Sequence, residues 1–337
     1  MIRDKILLIS LARSEFTLLK NVYKAIKLKH KTDFIISGSH FLKDFGEVQK
    51  NINNTEIKKI IKVNLFKKYS NPDPLTVFNI VFEKFKNIFK NKKYKAIIIV
   101  GDRYEALSVA LASFMNSIPI IHYHGGEKTT GSNDDMYRFC ISKLSSLHLV
   151  SHKDYKKRLI QIGENPKHIK IVGALGLDNL KNKNNISKLR IEENFKIKFS
   201  KTNLMINFHP CNEQSLILKN LLKSLKSFCG FSSIIFTSPA FEIGFQDIVY
   251  HIKKFKKKNK NVFYIKNFGH KYFSATMMHC DLIIGNSSSG ILEAPFLSKS
   301  VINLGNRQFG RLMSKNIKCL DGLSSEEITK NINKMLK

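Results

Sequence analysis

The stretch from Tyr94 to Arg138 constrains the fold more than any other part of the chain. An apolar run, Ala96–Val100, ends at Gly101-Asp102-Arg103. A weakly charged helical segment follows. A second apolar run, Ile118–Ile121, then leads into His122-Tyr123-His124-Gly125-Gly126-Glu127. Strand, helix and strand at this spacing read as a βαβ unit, and so as parallel strands joined by a crossover helix. Charged groups therefore sit just past the carboxyl ends of two parallel strands, the edge where open α/β sheets bind ligands. Asp102, Glu127, Asp134 and Asp135 gathered there point to acid/base chemistry rather than a solvated surface. The two glycines read as room for the loop to pass close to a ligand.

The alternation runs from end to end. Strands are expected at Ile6–Ser10, Asp33–Ser37, Lys59–Val63, Leu147–Ser151 and Ile169–Val172, with amphipathic helices at Glu15–Leu28 and Leu75–Phe89. The polar stretch Asn182–Ser200 interrupts the pattern and reads as a domain boundary. Beyond it, strands are expected at Leu204–Phe208, Ser233–Thr237, Val262–Ile265, Asp281–Ile284, Val301–Leu304 and Ile317–Leu320. The expected fold is α/β, with two Rossmann-like, doubly wound domains facing a cleft, residues 1–180 and 181–337.

Composition narrows the partners. Lys and Arg number 57 against 26 Asp and Glu, a formal charge of +31. The lysines are spread along the chain rather than gathered on one element, so they read as solvated faces, and no nucleic-acid partner is expected. Their charge would still draw in an anionic substrate. Five scattered cysteines with no C-x-x-C read as reduced thiols of a cytoplasmic protein. Met1–Ala12 reads as a first strand rather than a signal peptide. Leu107–Ile121 is shorter than a membrane span, so no membrane association is expected.

A second informative stretch begins at Asp281. An apolar run enters Gly285-Asn286-Ser287-Ser288-Ser289-Gly290, and a helix is expected to start near Ile291. Small residues and free helix-start N–H groups make a phosphate cradle. A Ser-rich helix cap has the same local sequence. The preceding strand, and Arg307 and Arg311 after the next one, favour the phosphate site. Glu293, one turn into the helix, could accept from ribose hydroxyls. The chain lacks G-x-x-x-x-G-K-[ST], and no G-x-G-x-x-G follows its first strand, so neither a P-loop nor a nicotinamide site is expected. GNSSSG is not a nucleophile elbow. His122, His124 and Glu127 could suggest a metal, but no other group has matching ligand spacing, so neither metal nor cofactor is expected. His209 ends the first strand of the second half, and reads equally as a structural histidine or a site residue.

At these residues the chain resembles the hydrolysing UDP-N-acetylglucosamine 2-epimerase family, from Ile6 to about Leu320. The matching pieces are Gly101-Asp102-Arg103, His122-x-His124-Gly125-Gly126-Glu127, Asp134-Asp135-x-x-Arg138, Gly173-x-x-Gly176-Leu177-Asp178-Asn179, His209-Pro210, the GNSSSG-x-x-EA run and Gly305-Asn306-Arg307-Gln308. The resemblance implies a glycosyltransferase-B-type fold around a nucleotide-sugar cleft. It also implies elimination of UDP across C1–C2 of the sugar and addition of water to the 2-acetamidoglucal, which releases N-acetylmannosamine or a 4-acetamido-6-deoxy relative. That sugar feeds sialic or legionaminic acid synthesis. A homo-oligomer is expected. Asp102, Glu127, Asp134, Asp135 and His209 are the expected catalytic residues. Arg13, Arg103, His124, Arg138, Ser287, Ser288, Ser289, Gly290, Glu293 and Arg307 are the expected substrate contacts. The sequence departs from the family at Leu11-Ala12, where Gly-Thr/Ser is usual, at Phe139 for His, at Ala240 and Glu242 for Asn and Asp, and at Phe309 for Lys. The resemblance also leads to a closing segment being expected after the point where this sequence ends, Lys337. The alternatives are a non-hydrolysing 2-epimerase and a glycosyltransferase of the same fold.

Overall fold

A computed structural model describes residues 4–41, 57, 60–65, 73–91, 94–129, 133–181, 186–239, 242 and 244–336. The side chains of Arg13, Ser39, Asn179 and Lys181 lie outside the described set, as does Ala240. The chain divides into two compact units, one of Met1–Lys128 with Asn133–Leu175, the other of Thr129–Ser132 with Gly176–Lys337.

The first unit carries β1 (Lys5–Ser10), β2 (Lys31–Ile36), β3 (Ile60–Lys62), β4 (Tyr94–Val100), β5 (Ile120–Tyr123), β6 (Leu147–Val150) and β7 (Ile169–Ile171). They form one sheet in the order β3-β2-β1-β4-β5-β6-β7, every pair parallel. Alternate residues feed opposite faces. Leu7, Ile9, Ile97 and Ile99 pack with Val77, Val81 and Phe85 of the helix Pro74–Asn91. Ile6, Leu8, Ile98 and Val100 pack with Phe16 and Leu19 of the helix Arg13–Ile26. Burial on both faces explains why these strands read as unbroken apolar runs rather than alternating ones.

The second unit repeats the plan with β8 (Thr202–Asn207), β9 (Ser232–Thr237), β10 (Val262–Ile265), β11 (Leu282–Gly285), β12 (Ser300–Leu304) and β13 (Ile317–Leu320). Their order is β10-β9-β8-β11-β12-β13, again all parallel. In both sheets the chain reverses its direction of build at one point, between β1 and β4 and between β8 and β11. Ligands bind outside the carboxyl ends of the strands at such switch points.

Three expectations shift in detail. The strand expected from Ile118 starts at Ile120, because Pro119 has no N–H to give the ladder, and it runs on through His122 and Tyr123. The helix expected near Ile291 starts at Ser288, capped by Ser287, whose hydroxyl accepts from the Ser289 N–H at 3.3 Å. The polar stretch after residue 185 contains a helix, Lys188–Phe195, capped by Ser187 and anchored by buried Ile191.

Candidate active site

In the first unit, two connections past the strand ends deliver the predicted carboxylates. Asp102 follows β4, Glu127 follows β5, and Asp134 and Asp135 open the helix Asp134–Lys143. One turn later Arg138 turns inward and is fully buried. Its guanidinium donates to Asp102, to Asp135 Oδ1 at 2.9 Å and to the Glu127 carbonyl at 2.8 Å. Burial opposes its charge, but the carboxylates of Asp102, Glu127 and Asp135 outweigh this and hold its pKa above the ordinary value. A side chain so enclosed and so committed holds the carboxylates in place, and a substrate contact by Arg138 finds no support in this geometry. Asp102 and Asp135 keep 24% and 15% of their side-chain surface.

Glu127 is almost wholly buried, and its Oε1 lies 2.7 Å from His124 Nδ1 and accepts from Ser151 Oγ at 3.2 Å. His124 adopts φ +64, a conformation a non-glycine residue takes only under local constraint. His122, two residues earlier, lies inside β5 with Nε2 2.8 Å from the Gly101 carbonyl and Nδ1 3.1 Å from Ser142 Oγ. Burial pushes its pKa down to about 4, so it is a neutral bracket between β4 and β5. The two histidines thus serve different partners. Among the described residues no group of three or more His, Cys, Asp or Glu is placed to hold a metal. The glycines also have a reason other than the one the sequence suggested. A Cβ on Gly126, at φ +75, would stand 2.3 Å from the Tyr155 carbonyl, so this residue is demanded by packing against the helix Lys153–Gln161.

Arg103 donates to Glu105 through Nε and Nη2 at 3.2 and 2.8 Å, and Glu105 is buried. Nearby, Glu15 receives the N–H groups of Leu11 and Ala12 at 2.7 and 3.2 Å. Burial raises its pKa to about 7, against the pull of those bonds and of Arg103. Composition and strand pattern gave no sign of Glu15. The available signal was its place three residues after Ala12, the spacing of a capping box, in a turn whose own cap residue has no side-chain acceptor. Arg13 opens this helix, and its side chain lies outside the described residues.

In the second unit, Asn207 ends β8 and His209 follows it. Asn286, after β11, accepts the His209 N–H at 2.7 Å and donates to the His209 carbonyl at 2.9 Å, locking the two connections together. Gly285 makes this closeness possible, since a Cβ there would stand 2.1 Å from the Asn207 carbonyl. Ser287 and Ser289 hydroxyls lie 2.9 Å apart at the start of the helix Ser288–Phe296, and Ser288 is half-buried beside them. Gly290 is buried under Val301. Glu293, one turn on, has a buried Oε2 with no hydrogen-bond partner among the described residues, and burial raises its pKa to about 7. Arg307, after β12, donates to Glu242 at 3.0 and 3.3 Å and to the Asn286 carbonyl at 3.5 Å. Burial first, and Arg307 second, push His209 down to about 3, so His209 is uncharged at neutral pH. An N-terminal helix end, small residues, hydroxyls and an arginine together suit a phosphate group.

Two such switch-point edges in one chain are met by what the chain is similar to. The family model described as UDP-N-acetylglucosamine 2-epimerase matches residues 24–337. The chain belongs to this family. It is 36% identical to the "GDP/UDP-N,N'-diacetylbacillosamine 2-epimerase (hydrolyzing)" of Campylobacter jejuni, over 94% of this chain and 84% of that protein. It is 32% identical to the "Polysialic acid biosynthesis protein P7" of Escherichia coli, over 93% and 81%. The crystal structure of UDP-GlcNAc 2-epimerase from Neisseria meningitidis bound to UDP-GlcNAc superposes with a TM-score of 0.78 at 17% identity, covering 98% of this chain and 91% of that one. The fold is therefore that of the 2-epimerases, two Rossmann-like parallel sheets of the glycosyltransferase-B type. The structure describes most of the positions at which the sequence resemblance led to other residues being expected. Leu11 and Ala12 are buried with their N–H groups on Glu15, Phe139 is half-buried, and Phe309 is exposed. Glu242 reaches Arg307 with both oxygens. No helix among the described residues is long and apolar enough to cross a membrane.

Proposed function

We propose that this 2-epimerase is of the hydrolysing kind and acts on a UDP-linked 2-acetamido sugar, with a 2,4-diacetamido-6-deoxyhexose preferred over N-acetylglucosamine. The similarity to the Campylobacter protein supports this choice of sugar. In the reaction, the C1–O bond breaks and its electron pair leaves with UDP, the C2 proton passes to a base, and a 2-acetamidoglucal results. Water then adds its oxygen to C1 while a proton is delivered to the opposite face of C2, which gives the free 2-epimer.

The observation that carries the reading is a buried guanidinium that ties two carboxylates and the backbone carbonyl of a third acidic residue together. Asp102 and Asp135 share Arg138, and Glu127 is fixed by Arg138, His124 and Ser151. Fixed carboxylates stabilise the oxocarbenium character of C1 as UDP departs, and with Asp134 at the helix start they supply the acid and base groups at C2 and at the attacking water. In the second unit, Ser287, Ser288, Ser289 and the helix start receive the diphosphate, Gly290 keeps that turn close-packed, Arg307 adds a cation, and Glu293 takes the ribose hydroxyls. His209, neutral, serves as a hydrogen-bonding group to the diphosphate rather than as a charge. Arg103 acts through its hold on Glu105.

The test is a product assay. Incubation with UDP-linked N-acetylglucosamine and with its 4-acetamido-6-deoxy analogue, followed by proton NMR, should give free 2-epimer and UDP, faster from the analogue. A UDP-sugar as the sole product would replace this reading with the non-hydrolysing one. Silence until an acceptor sugar is added would replace it with glycosyl transfer.

A further inference from the structure

Arg307 is assigned to the diphosphate, yet its guanidinium already holds an anion. Glu242 presents both carboxylate oxygens to Nη2, at 3.0 and 3.3 Å. Arg307 keeps 11% of its side-chain surface and Glu242 32%, so the pair is shielded on the arginine side and wetter on the carboxylate side. Asn286 offers its carbonyl to Arg307 at 3.5 Å and to Gln308 Nε2 at 2.9 Å, and His209 is neutral. Glu242 is thus an anionic partner that the structure gives Arg307, and it occupies Nη2, the donor edge that a phosphate oxygen would otherwise take.

From this we infer that Glu242 is a stand-in for the substrate's diphosphate and sets how tightly nucleotide is held. The inference rests on the assignment of Arg307 to the diphosphate. A carboxylate and a diphosphate cannot share one guanidinium without mutual repulsion. A phosphate oxygen that takes Nη2 therefore displaces Glu242, and affinity falls by the strength of the pair that is given up. The paired state also keeps a partly buried cation satisfied before ligand arrives, which an isolated Arg307 would lack. The consequence for a reaction that ends with UDP on the enzyme is faster release, because Glu242 is present to recapture Arg307.

Titration calorimetry with UDP and with uridine tests this on wild type, Glu242→Gln, Arg307→Met and the double variant, each first checked for an intact melting transition. Glu242→Gln should bind UDP about 5-fold more tightly, the scale of a partly exposed ion pair. Its affinity for uridine, which has no diphosphate, should not change. In the Arg307→Met background the Glu242 substitution should have no effect on UDP. Slower UDP dissociation from Glu242→Gln in stopped flow would support the same conclusion by rate. Unchanged or weaker UDP binding by Glu242→Gln would overturn the inference, and would make Glu242 a residue that orients Arg307 for the ligand. If Arg307→Met itself binds UDP as wild type does, the assignment of Arg307 to the diphosphate fails instead, and the two failures are told apart by that single variant.

Discussion

Replacing Arg138 with Met keeps an unbranched apolar stem and deletes the guanidinium. Three acceptors then lose their donor: Asp102, Asp135 and the Glu127 carbonyl. Breaking a buried ion pair by removing one partner costs about 3–5 kcal/mol. The two carboxylates retain 24% and 15% of their side-chain surface and can recover some hydration, so the lower end, about 3 kcal/mol, applies here. Such a loss is a large share of the stability of a native protein. The deficit has a sign in pH. Two facing carboxylates without a cation can relieve their repulsion only by taking up a proton, so the loss should be larger at pH 8 than at pH 5. Urea unfolding of both proteins at the two pH values measures this. Arg138→Lys should recover little, because a point charge cannot replace a fork that reaches three acceptors at once. A loss under about 1 kcal/mol, or one equal at both pH values, would refute the reasoning that Arg138 holds the carboxylates together.

Other outcomes follow from single residues. Glu15 has a folded pKa of about 7 against an ordinary 4.5, so the folded state holds its proton longer than the unfolded state and wild type loses stability as pH rises through that window. Glu15→Gln lacks this loss and should gain on wild type by about 3 kcal/mol between pH 4.5 and pH 8, read by denaturant unfolding across that range; a constant difference would contradict it. Gly285→Ala should destabilise by about 3 kcal/mol or more, because its Cβ would meet the Asn207 carbonyl and force β8 and β11 apart. Gly290→Ala should instead be neutral or stabilising by thermal melting, since its Cβ would make an ordinary 3.4 Å contact with Val301 inside a helix. Ser289→Asp sets a negative charge where the helix start favours the ligand's own, so UDP affinity should collapse with little change in melting temperature, and unchanged binding in calorimetry would move the phosphate site elsewhere.

The architecture was largely legible because the inner strands of both sheets are buried on two faces. Runs such as Ala96–Val100 and Leu204–Phe208 have no solvated side to blur them, and the βαβ spacing then leaves parallel sheets as the solution. Boundaries failed where one residue's chemistry moved them. Pro119 delayed β5, and Ser287 capped its helix earlier than the apolar pattern began. The carboxylates could be named because strand ends collect function. Their connections could not be, because nothing in the sequence around Arg138 tells a buried guanidinium that holds three acceptors from an exposed one that holds a ligand. His122 and His124 were equally opaque. They stand two residues apart, yet one ends inside a strand against a carbonyl and the other at a positive φ beside Glu127. Gly126 misled in a different way, since a glycine required by Tyr155 reads the same as one required by a substrate.

The central claim is that the C2 proton is removed and that water ends at C1. Reaction in D2O and in oxygen-18 water, with the product followed by NMR and mass spectrometry, tests both halves at once. The account predicts deuterium at C2 of the released sugar and oxygen-18 at its C1, in wild type and, at a rate lower by about 10²-fold, in Asp102→Asn. A free sugar that keeps its original C2 proton, or a product still joined to UDP with no oxygen-18 at C1, would contradict it.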